Sequence, residues 1–409
     1  MPRVLLLLPT TSYRTADFLS AAKRLGLDVT VASEQASTME RLNPSGLLTL
    51  DFADLAACAD TVAAFAATTP VDAVVGVDER TAVAAAAIAA RLGLPHDPVA
   101  AVAAAGNKAL MRKRLAEAGV SSPGYRLFST AVDARTASRE VAYPCVLKPT
   151  FLAASRGVIR ADDPAQFLEA WERIAGILAD PAVAGRGGAA AREILVEDFV
   201  PGEEVALEGL LTTGELRVLA LFDKPDPLDG PYFEETIYVT PSRHARAVQE
   251  ACAGAAAAAA RALGLQEGPI HAELRVDDSR VCVIEIAARS IGGLCSRTLR
   301  FGTGMSLEEL LLRHALGREI ANVERDAAAA GVMMIPIPGA GVLQEVLGLD
   351  AARAVPGIED VTISAALSSR LVPLPEGDRY LGFIFARAAT PERAEAALRE
   401  AHARLEFRI

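Results

Sequence analysis

Apolar and polar positions follow two different periods along this chain, and the change of period divides it. Near the start, short runs that are apolar throughout alternate with stretches of helical spacing. Residues 3–9 predict a buried strand, 15–26 a helix ending at Gly26, and Val29-Thr30-Val31 the start of a second strand. A helix near 54–68, a third buried strand over 71–77 and a helix to Leu92 follow. Strands apolar on both faces that alternate with helices imply a parallel sheet covered on both sides. Residues 1–95 thus predict a doubly wound α/β domain, with Gly93-Leu94-Pro95-His96-Asp97-Pro98 as its boundary.

Beyond the boundary the pattern is mixed. A helical stretch carries Asn107-Lys108 and ends at Gly119. The segment 143–149 reads as a strand stopped by proline, with Lys148 at its end, and 150–158 as a loop of small and polar residues. A helix over 164–179 precedes 180–191, whose Gly, Ala and Pro predict a mobile insertion. Residues 193–197 predict a strand, and Phe199-Val200-Pro201-Gly202 turns the chain into another at 204–209. Strict alternation returns at His271-Ala272-Glu273-Leu274-Arg275-Val276 and Val281-Cys282-Val283-Ile284-Glu285-Ile286. With a polar turn at Asp277-Asp278-Ser279 between them, the two runs predict an antiparallel hairpin. After Gly331, apolar segments at 335–339 and 380–385 and a helix over 391–405 predict a small α+β unit.

Composition narrows the classes. The chain has 409 residues, enough for two or three domains, with 51% hydrophobic and 23% charged residues. A net charge of -11 argues against non-specific nucleic-acid binding. Val4–Leu8 and the Ala-rich stretches Ala82–Ala90 and Ala251–Ala262 are too short to span a bilayer. Five scattered cysteines fit reduced core thiols, and with the missing membrane signal they predict a cytoplasmic protein. The first turn, Pro9-Thr10-Thr11-Ser12-Tyr13-Arg14, has no glycine, which disfavours a dinucleotide. That turn is either an ordinary loop or a substrate contact.

The hairpin carries the sharpest chemistry. Strand side chains alternate faces, so Glu273 and Glu285 can lie side by side. Two opposed carboxylates repel unless a cation or a proton sits between them, and hard oxygen ligands suit Mg2+. Arg289 and Ile291-Gly292-Gly293 follow, the latter a tight turn able to cradle an anion. Upstream, buried Lys148 asks for an anionic partner, although on its own a lysine snorkelling to solvent at the strand end is the simpler reading. Glu197 could accept a purine amine or be a plain acid at a strand end, and Glu204 could meet a ribose hydroxyl. Glu208 reads as structural. His271 shares the face of Glu273, where a satisfied core histidine is the rival reading. Glu234 or Glu235 could hold an ammonium group, and Lys224 a carboxylate, with solvated loop charges as the default reading.

The order Lys108, Lys148, small-residue loop, Glu197, Gly202-x-Glu204, Glu273, Glu285, Arg289, Gly292-Gly293 resembles the ATP-grasp fold. It is most similar to the carboxylate–amine ligase branch, which includes bacterial L-amino acid (dipeptide) ligases. The resemblance implies a multidomain α/β and α+β protein. Its parts are a Rossmann-like domain over 1–95, an ATP-grasp domain over 96–325 with lobes near 120–198 and 199–325, and an α+β cap over 326–409. It implies ATP phosphate contacts for Lys108 and Lys148, and a phosphate-covering loop at Ser155, Arg156, Gly157 and Val158. Glu197 and Val200 match the adenine hinge, and Glu204 the ribose contact. Glu273 and Glu285 match Mg2+ ligands. Arg289 matches the residue that stabilises an acyl-phosphate, and Gly292-Gly293 the carboxylate turn. Lys148 and Arg289 are then the catalytic side chains, with His271 and Glu235 near the substrate. One position departs: Ala287 stands where the family has a metal-ligating asparagine.

The implied function is an ATP-dependent ligase joining a carboxylate to an amine through an acyl-phosphate, releasing ADP. Amino acids are the implied substrates and a homodimer the implied assembly. A carboxylase of the same fold that activates bicarbonate is the alternative, as is a nucleotide-binding protein with little turnover, which Ala287 would favour.

Overall fold

A computed structural model describes residues 1–277, 280–320 and 322–409. The expected turn at Asp277–Ser279 is therefore described only at Asp277; Asp278 and Ser279 lie outside the described residues. The N-terminal strands Arg3–Leu7, Asp28–Ser33, Leu47–Thr49 and Ala73–Gly76 pair in parallel, with Arg3–Leu7 between Asp28–Ser33 and Ala73–Gly76. Val4, Leu5, Leu6 and Leu7 are all fully buried, which is why this run is apolar on both faces. The helix Glu79–Leu92 that follows the last strand starts in a capping box between Asp78 and Thr81. Gly93, at φ 69°, closes it in the left-handed conformation that favours glycine. These two caps fix where Glu79 and Arg80 emerge beside the central cleft.

A second sheet of four antiparallel strands runs in the order Tyr125–Ser129, Glu193–Asp198, Cys145–Pro149, Ile159–Ala161. The helix Pro164–Ala179 packs on it and builds a separate core around Phe167, Trp171, Ile174, Leu147 and Val196. Pro164 sits in the first turn of this helix and the Asp163 carboxylate caps it, so the start is specified twice. The expected mobile insertion at 180–191 is instead ordered into the helix Pro181–Gly187 and a 3-10 turn over Gly188–Arg192. Asp180 accepts from the backbone of Ala182 and Val183, and Pro181 fills the first position; this local capping outweighs the glycines.

The third sheet has eight antiparallel strands. Its order is Arg280–Ala287, Gly268–Asp277, Glu203–Thr212, Glu215–Asp223, Ile237–Thr240, Ala329–Ile335, Gly382–Ala388, Ile358–Ile363. Three C-terminal strands thus extend the sheet that holds the hairpin, while Gly341–Val342 with Arg370–Leu371 and Glu345–Leu347 with Glu406–Arg408 form two small sheets of their own. The Ala-rich helix Arg246–Leu263 lies under the hairpin end, where Cys252, Ala256, Ala259 and Ala260 are buried. Val4, Leu6 and Phe18 of the first domain share a core with Leu210, Phe222 and Phe383 of this sheet and with Ile291 just after the hairpin. The two parts are welded by burial, whereas the four-stranded lobe keeps its own core. No helix among the described residues is long and apolar enough to cross a membrane.

Candidate active site

Between the four-stranded lobe and the eight-stranded sheet lies a cavity of about 330 Å³. It gathers residues from all three parts of the chain. Lys108, Lys148, Ser155, Glu197, Val200, Glu204, Glu235, His271, Glu273, Glu285, Arg289, Gly292 and Gly293 all line it.

One wall is built around Glu197, which is only 3% exposed. Lys148 Nζ lies 2.7 Å from its Oε2, and Arg112 Nε lies 2.7 Å from its Oε1. Burial alone would raise the carboxyl pKa; the Arg112 and Lys148 charges outweigh it and hold Glu197 below its ordinary value. The expectation that Glu197 offers an open acceptor therefore needs correcting, because both oxygens already face cations. Arg112 carries no motif that singles it out in the sequence. It stands one turn after Lys108 on the helix Lys108–Glu117, on the same face, and is fully buried. Its guanidinium also donates to the carbonyl of Ile284. That carbonyl belongs to a bulge, because the hairpin register shifts between Glu273 and Leu274.

The hairpin pairs as expected, with Glu273 directly opposite Glu285. Lys108 Nζ lies 3.2 Å from Glu285 Oε1 and donates to the Leu152 carbonyl at 2.8 Å. Glu273 faces a different cluster. The Glu204, Glu235 and Glu273 carboxylates all lie within 4.8 Å of one another. The ammonium of Lys224 stands among them, 2.7 Å from Glu204, 3.6 Å from Glu273 and in contact with Glu235. The expectation that Lys224 is open to a substrate carboxylate is corrected here, because acids enclose it. Burial would lower its pKa, but the three charges raise it well above the ordinary value. Glu273 is driven the other way: Lys224 and His271 overcome burial and hold it well below its usual range.

His271 is buried between two acids. Nδ1 is 3.2 Å from Glu208 Oε2, and Nε2 is 3.8 Å from Glu273 Oε1. Burial disfavours its charged form, yet the hydrogen bonds to these acids raise its pKa. Glu208, which the sequence marks only as structural, orients His271 and accepts from the Ile291 N–H at 2.9 Å. Arg275, two residues past Glu273 on the same face, bonds Glu204 at 2.9 Å and the Gly202 carbonyl at 2.8 Å. Gly202, at φ 107°, has no space for a side chain, since a Cβ would strike the Val276 carbonyl.

The N-terminal domain completes the site. Arg289 donates to Glu79 at 3.1 Å. Arg14 is 2% exposed and pairs with Glu308 at 2.9 Å. It also donates to Ser290 Oγ at 2.6 Å and to the Ile291 carbonyl at 3.2 Å. The glycine-free loop thus braces the segment after the hairpin. At Gly293, φ 58°, a Cβ would crowd the Phe383 ring at 3.0 Å, whereas Gly292 meets open space. Two expected loop residues lie off the cavity: Arg156 turns to Asp378 at 3.7 Å, and the Gly157 N–H donates to the Pro375 carbonyl at 2.8 Å. Ala287 is buried opposite His271 and offers no ligand atom.

The donor set suits ATP with Mg2+. Lys108 and Lys148 line the cavity, and carboxylates outnumber cations around Lys224. An excess of opposed acids is what a hard divalent cation would satisfy.

Three family models match along the chain: an ATP-grasp N-terminal domain over residues 19–96, an ATP-grasp domain over 141–298, and L-amino acid ligase C-terminal domain 2 over 333–409. An uncharacterized protein of Sinorhizobium fredii is 26% identical over 303 residues, 74% of this chain and 61% of that one. The alanine–anticapsin ligase of Bacillus subtilis is 30% identical over 235 residues, 54% of this chain and 49% of that one. The matched stretch thus spans less than two thirds of these relatives. The crystal structure of the L-amino acid ligase from Bacillus licheniformis superposes with a TM-score of 0.83 at 27% identity, over 100% of this chain and 98% of that one.

Proposed function

The chain belongs to the ATP-grasp superfamily, and from that premise we propose that it is an ATP-dependent ligase joining a carboxylate to an amine. Lys108 and Lys148 neutralise the nucleotide phosphates, and Val200 in the segment after Glu197 lies against the base. Glu197 is a fixed counter-ion that keeps Lys148 in place, and Glu204 lies toward the ribose. Ser155 belongs to the loop over the phosphates. Glu273 and Glu285 would hold Mg2+, which draws charge off the phosphate oxygens.

A carboxylate oxygen of the first substrate attacks the γ-phosphorus. The bond to the bridging oxygen breaks, giving an acyl-phosphate and ADP. Arg289, oriented by Glu79, holds the activated carboxyl group against the Gly292-Gly293 turn. His271, held between Glu208 and Glu273, orients Glu273 beside the phosphoryl group. The amine nitrogen then attacks the acyl carbon, loses a proton, and phosphate leaves. Positioning and charge stabilisation supply most of the acceleration.

Amino acids are the proposed substrates. Support comes from the C-terminal match at 333–409 and from the similarity to an L-amino acid ligase. The observation that carries the reading is that Lys108, Lys148, Glu273, Glu285 and Arg289 converge on one cavity from separate elements. A screen of amino-acid pairs for ADP release tests it. Pairs that stimulate ADP release and yield an amide support the ligase; stimulation by bicarbonate or a lone carboxylate without amide would sink it. A second reading, nucleotide binding with little turnover, is favoured by the buried Ala287. Calorimetry showing tight ATP binding, with no Mg2+-dependent ADP under any substrate pair, would select it.

A further inference from the structure

Arg156 and Gly157 face away from the cavity, onto the C-terminal segment 372–379. The Gly157 N–H donates to the Pro375 carbonyl at 2.8 Å. Arg173, on the helix Pro164–Ala179 beside the loop, grips Glu376 with two parallel bonds of 2.9 and 2.8 Å. Its guanidinium also bonds the Tyr232 hydroxyl and lies 5.2 Å from that ring's centroid. Arg156 and Asp378 add a weaker pair at 3.7 Å. The segment is itself compact, for the Gly377 N–H returns to the Pro373 carbonyl at 2.9 Å and a Cβ there would strike the Val372 carbonyl. Directly after it, Tyr380 lines the cavity and packs edge-on against Phe383 at 6.1 Å. One short stretch therefore touches the phosphate loop, the lobe helix and the cavity wall.

The loop it touches needs holding. Ala154 and Ser155 adopt φ 55° and 54°, a left-handed conformation that side-chain-bearing residues keep when their surroundings impose it. Gly157 is at φ 74°, with Pro149 carbons 2.9 Å from where a Cβ would stand. The grip is also of a kind that can release. The Arg173 and Glu376 side chains are 40% and 41% exposed, whereas Arg14 and Glu308 are each 3% exposed. Exposed pairs exchange readily with water, and a buried pair does not.

We propose that segment 372–379 is a reversible clasp on the 153–157 loop, with Arg173 and Glu376 as its positioning residues. Fastened, it holds the loop across the phosphate end of the cavity and keeps water from an activated carboxyl group. Released, it lets nucleotide enter and ADP leave. The clasp rests on the ATP-dependent reading of the same site.

Arg173→Gln, Glu376→Gln and the exchanged pair Arg173→Glu with Glu376→Arg test it. Amide hydrogen exchange over 153–158 is measured without ligand. ATP KM, kcat and ADP released per amide formed are then measured. Each single variant is expected to speed exchange at Gly157 on the order of fivefold. Each should also raise ATP KM more than it lowers kcat and release surplus ADP, and the exchanged pair should recover toward the parent. Unchanged exchange in both single variants, or an exchanged pair as fast as either single, overturns the clasp. The exchange experiment needs no substrate. A protein that forms no amide would therefore defeat the ligase reading separately.

Discussion

Two buried charge clusters line one cavity, and they are built inversely. At the first, the single anion Glu197 is held by the cations Arg112 and Lys148. At the second, the cation Lys224 is held by the anions Glu204, Glu235 and Glu273, with Arg275 pairing Glu204 from the other side. The first cluster is sealed and carries one surplus positive charge. The second keeps partly accessible carboxylates, with Glu235 17% and Glu273 23% exposed, and its acids outnumber the cations Lys224 and Arg275. A surplus that is sealed in is a fixed feature of the scaffold. A surplus that opens to the cavity asks for a ligand of opposite sign. In the proposed reaction, the first wall would position phosphate and the second would attract a metal ion.

The clearest break in the comparison is at the sealed end. Glu197→Leu strands Arg112 and Lys148 beside each other and should cost about 3–5 kcal/mol of stability. Thermal or urea unfolding measures it, and added Mg2+ should recover none of the loss. At the open end, Lys224→Met should also destabilise, by about 1–3 kcal/mol, because solvent relieves part of the repulsion. Here Mg2+ should restore much of the loss. Equal responses of the two variants to Mg2+ would erase the distinction between the walls.

A smaller effect sharpens the metal end. Ala287→Asn supplies a ligand atom two residues after Glu285, and the Mg2+ needed for half-maximal ADP formation should fall about tenfold. An unchanged Mg2+ dependence would mean that the alanine leaves no deficit. The smallest effect concerns pH. Burial would raise Glu197 and Glu308, but their arginine and lysine partners hold both below the ordinary 4.5. Such groups add stability that is fully present above the unfolded value and is lost as pH falls through the depressed folded one. Unfolding free energy should therefore decline below about pH 4.5. Replacing Arg14 and Glu308 together by Met and Leu should flatten that decline while changing stability at neutral pH little.

Much of this arrangement is legible in the sequence because strands repeat every second residue. That period places His271, Glu273 and Arg275 on one face, but Glu285 stands opposite Glu273 only because of the bulge at Ile284, which the alternation does not announce. The parallel first sheet is legible because its central strand Arg3–Leu7, buried on both faces, is apolar after Arg3. Arg112 is not legible: an arginine within a charged helix normally reads as solvated, and only its one-turn spacing from Lys108 hints otherwise. Contacts such as Arg14 with Glu308 and Arg289 with Glu79 join residues more than 200 positions apart. They leave no periodic trace, because tertiary packing alone brings them together. The C-terminal strands are visible as strands, but their place on the hairpin's own sheet depends on long-range pairing that local pattern does not encode.

The most direct test follows the oxygen atoms of the activated carboxylate. A substrate acid labelled with isotopically heavy oxygen is incubated with ATP, Mg2+ and an amine, and the products are weighed by mass spectrometry. Ligation through an acyl-phosphate moves one heavy oxygen from the acid into each inorganic phosphate released with ADP, and leaves one in the amide. Phosphate without the label, or AMP in place of ADP, would contradict the account.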